Sequence, residues 1–246
     1  MQSAETNHSD FRVLPLEQLR WLLISYSMTG LLYWPRSPET GGATSGPSVQ
    51  GIQGDEPGRL LQALRQEIGD CQRCRLHQSR TTLVFGDGSP AARLVFVGEA
   101  PGYDEDRQGL PFVGRAGRLL DRMIAAMGMR RSEVYICNVV KCRPPQNRNP
   151  SADEVAACSP FLFRQIEAIQ PRVVCLLGNY ATQTLLETTL NISQLRGKDR
   201  YWRGIPVVAT FHPAYLLRNP AQKASVWSDL KRVLELLKED NQGTPL

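Results

Sequence analysis

Three polar residues stand where apolar runs stop. Glu99 follows Leu94-Val95-Phe96-Val97, Asn138 interrupts the β-branched run Val134–Val140, and His212 comes just after Ile205–Ala209. An acid, an amide and an imidazole at the ends of three strands would form a ligand site at the carboxyl edge of a parallel sheet. Around the first of them lies Gly98-Glu99-Ala100-Pro101-Gly102, a Gly/Pro-rich loop between a strand and a helix, where the backbone itself can approach a ligand closely. A second constellation is Cys71-x-x-Cys74, then Cys142, then fifteen residues to Cys158. Four thiolates suit an iron–sulfur cluster or a structural zinc ion, and spacing alone leaves both open. Cys137 and Cys175 fall inside strands and read as buried apolar residues.

The elements that must position these groups follow from periodicity. Strands are expected over Arg93–Val97, Val134–Val140, Arg172–Leu177 and Ile205–Ala209. Between them the spacing predicts helices. One starts at Pro57 and carries Leu60, Leu61, Leu64 and Ile68. Others cover Arg115–Met127, a stretch entered through the capping box Ser151–Glu154, Ala181–Glu187, and about Gln222 to Lys238 with Val226, Trp227, Leu230, Val233, Leu234 and Leu237 inward. Apolar strands alternating with helices give an α/β fold, a three-layer αβα sandwich around a four-stranded parallel sheet.

The 246 residues are 41% hydrophobic and 22% charged, ordinary for a globular chain. Net charge is +5 but uneven: residues 1–56 hold three Lys/Arg against six Asp/Glu, a net −3, leaving +8 on the remainder. A basic body favours a polyanionic partner, with nucleic acid foremost. Residues 1–56 read as an N-terminal extension, with one possible helix near Leu16–Leu23 and a Pro/Gly/Ser/Thr-rich flexible linker; residues 57–246 read as the working domain. No apolar run reaches membrane-spanning length, and the acids ahead of Leu19–Trp34 are wrong for a secretory signal, so a reducing cytoplasmic setting is expected.

Taken together, Gly98–Gly102, Glu105-Asp106, Gly109–Gly114 with Ala116-Gly117, Asn138–Pro145 and His212–Arg218, joined by the four cysteines, resemble the family 4 (iron–sulfur) uracil-DNA glycosylases. No single motif decides this; their order and spacing do. The resemblance spans about residues 57–240 and implies the uracil-DNA glycosylase-like fold, with a monofunctional activity that hydrolyses the N-glycosidic bond of uracil in DNA and leaves an abasic site.

By this resemblance His212 donates to the uracil oxygen beside the breaking bond, and Asn138 reads the base edge. Phe112 stacks on the ring, and Gly98, Ala100 and Gly102 wall the pocket. Glu99 and Glu105 serve in catalysis, with Glu105 and Asn147 shaping the pocket floor against the thymine methyl. Leu217 and Arg218 lie in a loop that fills the gap left by the flipped base. Ala100 occupies the position where the better-known uracil glycosylases carry a water-handling Asp, an absence shared across family 4. Cys71, Cys74, Cys142 and Cys158 would hold a [4Fe–4S] cluster, and Arg73, Arg75, Arg80, Lys141, Arg143 and Arg148 around them could meet phosphates.

The expected partner is uracil-containing DNA, met by a monomer associated with the nucleoid; no convincing sliding-clamp motif is present. The alternative is a non-catalytic DNA- or partner-binding module of the same fold. A metal-stabilised nucleotide-binding enzyme is disfavoured, because neither G-x-x-x-x-G-K-[ST] nor a dinucleotide fingerprint occurs.

Overall fold

The structure, a computed structural model, describes residues 56–239, so the expected helix near Leu16–Leu23 and the linker lie outside the described residues. Six strands form one sheet: β1 (Asp87–Gly88), β2 (Leu94–Gly98), β3 (Tyr135–Asn138), β4 (Val173–Leu177), β5 (Arg200–Trp202) and β6 (Ile205–Thr210). Their spatial order is β1-β3-β2-β4-β6-β5. The inner four are parallel, matching the four apolar runs, and β1 and β5 add short antiparallel edges that sequence periodicity did not signal.

The helices are α1 (Glu56–Ile68), α2 (Tyr103–Gln108), α3 (Arg115–Ala126), α4 (Ala152–Ile169), α5 (Asn179–Leu185), α6 (Ile192–Leu195), α7 (Pro213–Arg218) and α8 (Lys223–Lys238). Successive strand residues point to opposite faces, so each continuous apolar strand feeds two cores. Val95 and Val97 pack with Leu61 and Leu64 of α1 and with Leu162 and Ile166 of α4. Leu94 and Phe96 pack with Leu120 and Ile124 of α3, Leu216 of α7, and Leu230 and Val233 of α8. These two cores make the three layers. Two expected core residues face outward instead: Leu60 is 48% exposed and Trp227 38% exposed, each at the edge of its helix's apolar stripe.

In this order the chain leaves β2 in one direction to reach β3, and β4 lies on β2's other side. The carboxyl end of β2 is therefore the switch point where an open α/β sheet leaves a crevice. Gly98 and Glu99 sit there. Among the described residues no helix is long and apolar enough to cross a membrane.

Candidate functional site

Gly98, the last residue of β2, is the register partner of Asn138, the last residue of β3. The pairing continues past the strand end, with Val139 N–H donating to Gly98 O at 2.9 Å and Val140 N–H to Glu99 O at 3.1 Å. Only glycine fits at 98. A Cβ there would lie 2.4 Å from Asn138 Oδ1 and 2.5 Å from Phe112 Cζ. Asn138 is 1% exposed, and its Oδ1 is buried with no hydrogen-bond partner among the described residues. An orphaned buried acceptor carries a desolvation penalty of about 1–3 kcal/mol, and its place beside an aromatic ring suits a planar ligand that brings a donor.

Phe112 is 5% exposed, and its ring centroid is 5.5 Å from that of His212, tilted by 31°. Its backbone adopts φ +52°, a left-handed conformation that a bulky side chain rarely takes and that surrounding structure must over-determine. Three groups do so. Arg131 donates to Phe112 O at 3.2 Å and to Pro111 O at 2.6 Å. Gly117 of α3 admits the same carbonyl, since a Cβ there would stand 1.9 Å from Phe112 O. From the other side the Glu105 carboxylate accepts from Val113 N–H at 2.9 Å, Gly114 N–H at 2.8 Å and Gly102 N–H at 3.1 Å.

Those three backbone partners give Glu105 a positioning task in the free protein. It is a buried positioning carboxylate that locks the Gly102 turn to the Val113-Gly114 turn. Asn147 is exposed at φ +54°, its Oδ1 accepts from Arg143 Nε at 2.8 Å, and Arg143 in turn stacks over Tyr103 at 5.1 Å. No hydrogen bond joins Glu105 to Asn147 among the described residues.

His212 caps α7, its Nδ1 accepting from Ala214 N–H at 3.1 Å. With Nδ1 used as acceptor, the ring proton of the neutral imidazole resides on Nε2. Burial, with Arg218 nearby, pushes the imidazole down to about 4, so it is neutral at physiological pH. Gly178, at φ +90°, clears the space beside it; a Cβ there would be 3.1 Å from His212 Cβ. Glu99 is half-buried and pushed up to about 7 by burial, and Ala100 packs partly against the α1–α4 core. Leu217 is 37% exposed and Arg218 exposed. Both sit on helix α7, not in the irregular loop expected, while Leu216 packs inward.

The four cysteines converge on one region. Cys142 and Cys158 are buried, and Cys71 and Cys74 pack against the same core. They are close enough that Cys71 and Cys74 act electrostatically on Cys142, and Cys142 and Cys74 on Cys158. Three of the sulfurs accept hydrogen bonds at 3.3 Å, Cys71 from Arg73, Cys142 from Arg80 and Cys158 from the Lys141 N–H. Burial raises Cys74 and Cys142 and pushes Cys158 up to about 11, so thiolates here call for a compensating cation. Among the described residues no three Cys, His, Asp or Glu side chains are arranged to hold a single metal ion.

Several expected phosphate ligands have internal work here. Glu154 accepts from Arg148 at 2.6 and 2.8 Å, from Arg75 at 2.9 Å and from Ser151 N–H at 2.8 Å. Arg80 bonds Asp70 and the Cys71 carbonyl, and Lys141 is fully buried. Arg131, Gly117, Gly178 and Lys141 are the contributors that sequence reasoning did not assign to the site. The two glycines carried a readable signal, each standing where an element begins or ends.

Residues 85–231 match the family model described as "Uracil DNA glycosylase superfamily". The chain is 44% identical over 185 residues to a type-4 uracil-DNA glycosylase of Sulfurisphaera tokodaii, covering 72% of this chain and 84% of that protein. Against the type-4 enzyme of Archaeoglobus fulgidus identity is 46%, covering 72% and 92%. Against that of Thermotoga maritima it is 44%, covering 74% and 96%. With the sheet order and these similarities in agreement, the chain belongs to the uracil-DNA glycosylase superfamily, in its type-4 branch.

Proposed function

We propose that the protein removes uracil from DNA by hydrolysing its N-glycosidic bond. The observation that carries this reading is the unpartnered, buried Oδ1 of Asn138 lying with the Phe112 ring against Gly98. Uracil N3–H donates to that oxygen, and the Asn138 amide NH₂ donates to O4. Cytosine reverses both groups, leaving buried polar atoms unpaired, and is rejected on that ground. Phe112 stacks on the flipped base.

As the C1′–N1 bond breaks, its electron pair goes to N1 and charge spreads onto O2. His212 Nε2–H donates there, neutral and already aimed by its cap. Water adds its oxygen to C1′ and releases a proton, giving free uracil and an abasic site. With Ala100 in the loop, Glu99 is the carboxylate nearest the role of orienting that water. Lys141, three residues from Asn138, is held by Asn138 O and Gln165 Oε1 and is not offered to C1′ in this scheme. Incubation with a uracil-containing oligonucleotide followed by alkali is expected to cleave at uracil and not at a thymine control. An intact strand in both would overturn the enzyme reading in favour of a binding module.

Glu99 sets a pH dependence. Ionisation at about 7 should make the excision rate rise through neutrality, and Glu99→Gln should flatten that rise. Stability moves the opposite way. The folded protein keeps on Glu99 a proton that the unfolded chain releases near its ordinary value of 4.5. The wild type therefore loses stability between about 4.5 and 7. Melting temperatures of wild type and Glu99→Gln should diverge across that window, with the variant gaining. Parallel curves would remove Glu99 from this assignment.

We infer a [4Fe–4S] cluster on the four cysteines from the family resemblance, since four neighbouring thiols would by themselves also suit zinc. Such a cluster would supply a crosslink joining the turn after α1, the loop after β3, and α4. Purified protein should be brown, with iron and acid-labile sulfide; a colourless zinc protein would refute the cluster. For the DNA itself, Arg115, Arg118 and Arg122 form an exposed stripe on α3 with no acidic partner among the described residues, and α3 packs on α7. They are suited to phosphates flanking the flipped nucleotide.

A further inference from the structure

Lys141 is 0% exposed, a placement lysine almost never takes without strong compensation. Among the described residues its amino group bonds to no carboxylate. Nζ donates to Asn138 O at 2.7 Å and to Gln165 Oε1 at 2.5 Å. Gln165 is itself fully committed, its Nε2 donating to Phe85 O at 2.9 Å and to the Tyr135 hydroxyl at 3.2 Å. The main chain of Lys141 is anchored as well, its N–H on Cys158 Sγ at 3.3 Å and its carbonyl accepting from Val84 N–H at 2.8 Å. Every polar group of this residue is used, and none is offered to solvent or to the pocket.

The partners define what the residue can do. Asn138 ends β3, and the next residue turns its N–H to Gly98 O. The Asn138 carbonyl then points out of the ladder and into the core, where Lys141 takes it. The peptide plane that carries the base-reading side chain is thus held on one side by β2 and on the other by a lysine three residues on. That lysine is held in turn between Cys158 on α4 and its neighbour Cys142. We propose that Lys141 is a positioning residue that couples the cysteine quartet to Asn138, so that the geometry of the base-reading amide depends on the integrity of the cysteine region. This inference rests on the reading of Asn138 given above.

A double-mutant cycle tests it, with free-uracil affinity by equilibrium dialysis as a readout beside kcat/KM on the oligonucleotide. Lys141→Met keeps the length of the side chain and removes the donors. Loss of a partner that orients a functional side chain typically lowers activity by about 10–100-fold, and uracil affinity should fall with it. If Lys141 acts through Asn138, the same substitution made on Asn138→Ala should cause no further loss in either readout; full additivity would overturn the coupling. Gln165→Leu, which leaves Lys141 in place with one anchor fewer, should give a smaller loss that also vanishes on Asn138→Ala. It serves as the test if Lys141→Met does not fold, and an additive effect from it overturns the proposal equally. A wild type that neither binds nor excises uracil would refute the function, whereas an active wild type with additive variants would refute only this inference.

Discussion

His212→Ala is expected to lower kcat on a uracil-containing oligonucleotide by about 10²–10³-fold, the usual loss for one donor aimed at developing negative charge, while DNA affinity stays close to wild type. The reason lies in how the ring is set. Nδ1 is occupied by the Ala214 N–H, so the only proton is on Nε2, and burial keeps the ring from acquiring a second one until pH falls toward about 4. The donor is neutral and fixed before the substrate arrives. The same hydrogen bond makes His212 a helix cap, and its removal by alanine also costs about 1 kcal/mol of stability. His212→Asn separates the two roles, because asparagine caps well and offers no equivalent of Nε2–H. It should recover the melting temperature and not the turnover. Activity near wild type in either variant would take the leaving-group role away from His212.

Asn138→Leu should move stability and activity in opposite directions. Leucine nearly matches asparagine in shape and removes the unpartnered buried oxygen, whose penalty is about 1–3 kcal/mol. The free variant should therefore melt higher than wild type. Excision should suffer, because two hydrogen bonds to the base at about 1 kcal/mol each correspond to a drop in kcat/KM of roughly 30-fold or more, and preference for uracil over cytosine should go with them. A lower melting temperature would mean that Oδ1 is satisfied in the free protein. Unchanged base preference would mean that Asn138 does not read the base.

The inner sheet was legible because its strands are buried on both faces and therefore read as unbroken apolar runs. The edges were not, since β1 is two residues long and β5 three, too short for any period to show. Asn138 and His212 stood out because each is a polar residue at the end of such a run, although His212 also has a structural task as the cap of α7. The internal partners of Glu105 and Asp106 were not legible, for the opposite reason. An acid-rich run after a glycine reads as a solvated loop or as reactive carboxylates. In the structure both are buried and spent on backbone N–H groups, Asp106 accepting from Thr81 and Thr82. Lys141 was counted among the phosphate ligands because it stands beside Cys142; its burial is set by Asn138 three residues back and by the more distant Cys158, Gln165 and Val84. Phe112, expected to stack on the base, is buried and packs with the core on the α3 side. What no sequence pattern reveals is its backbone conformation, imposed by Arg131, Glu105 and Gly117 together.

That imposed conformation bears on the entropy of recognition. A loop that had to gather itself around each extruded base would lose conformational freedom at every encounter, and the loss would be subtracted from affinity each time. Here Pro111–Gly114 is already fastened from both sides, by a guanidinium on its carbonyls and a carboxylate on its N–H groups. Ordering is completed once, during folding. An enzyme inspecting long stretches of undamaged DNA thus meets every candidate base with a finished slot, and the backbone of this loop should superimpose closely between free and DNA-bound protein.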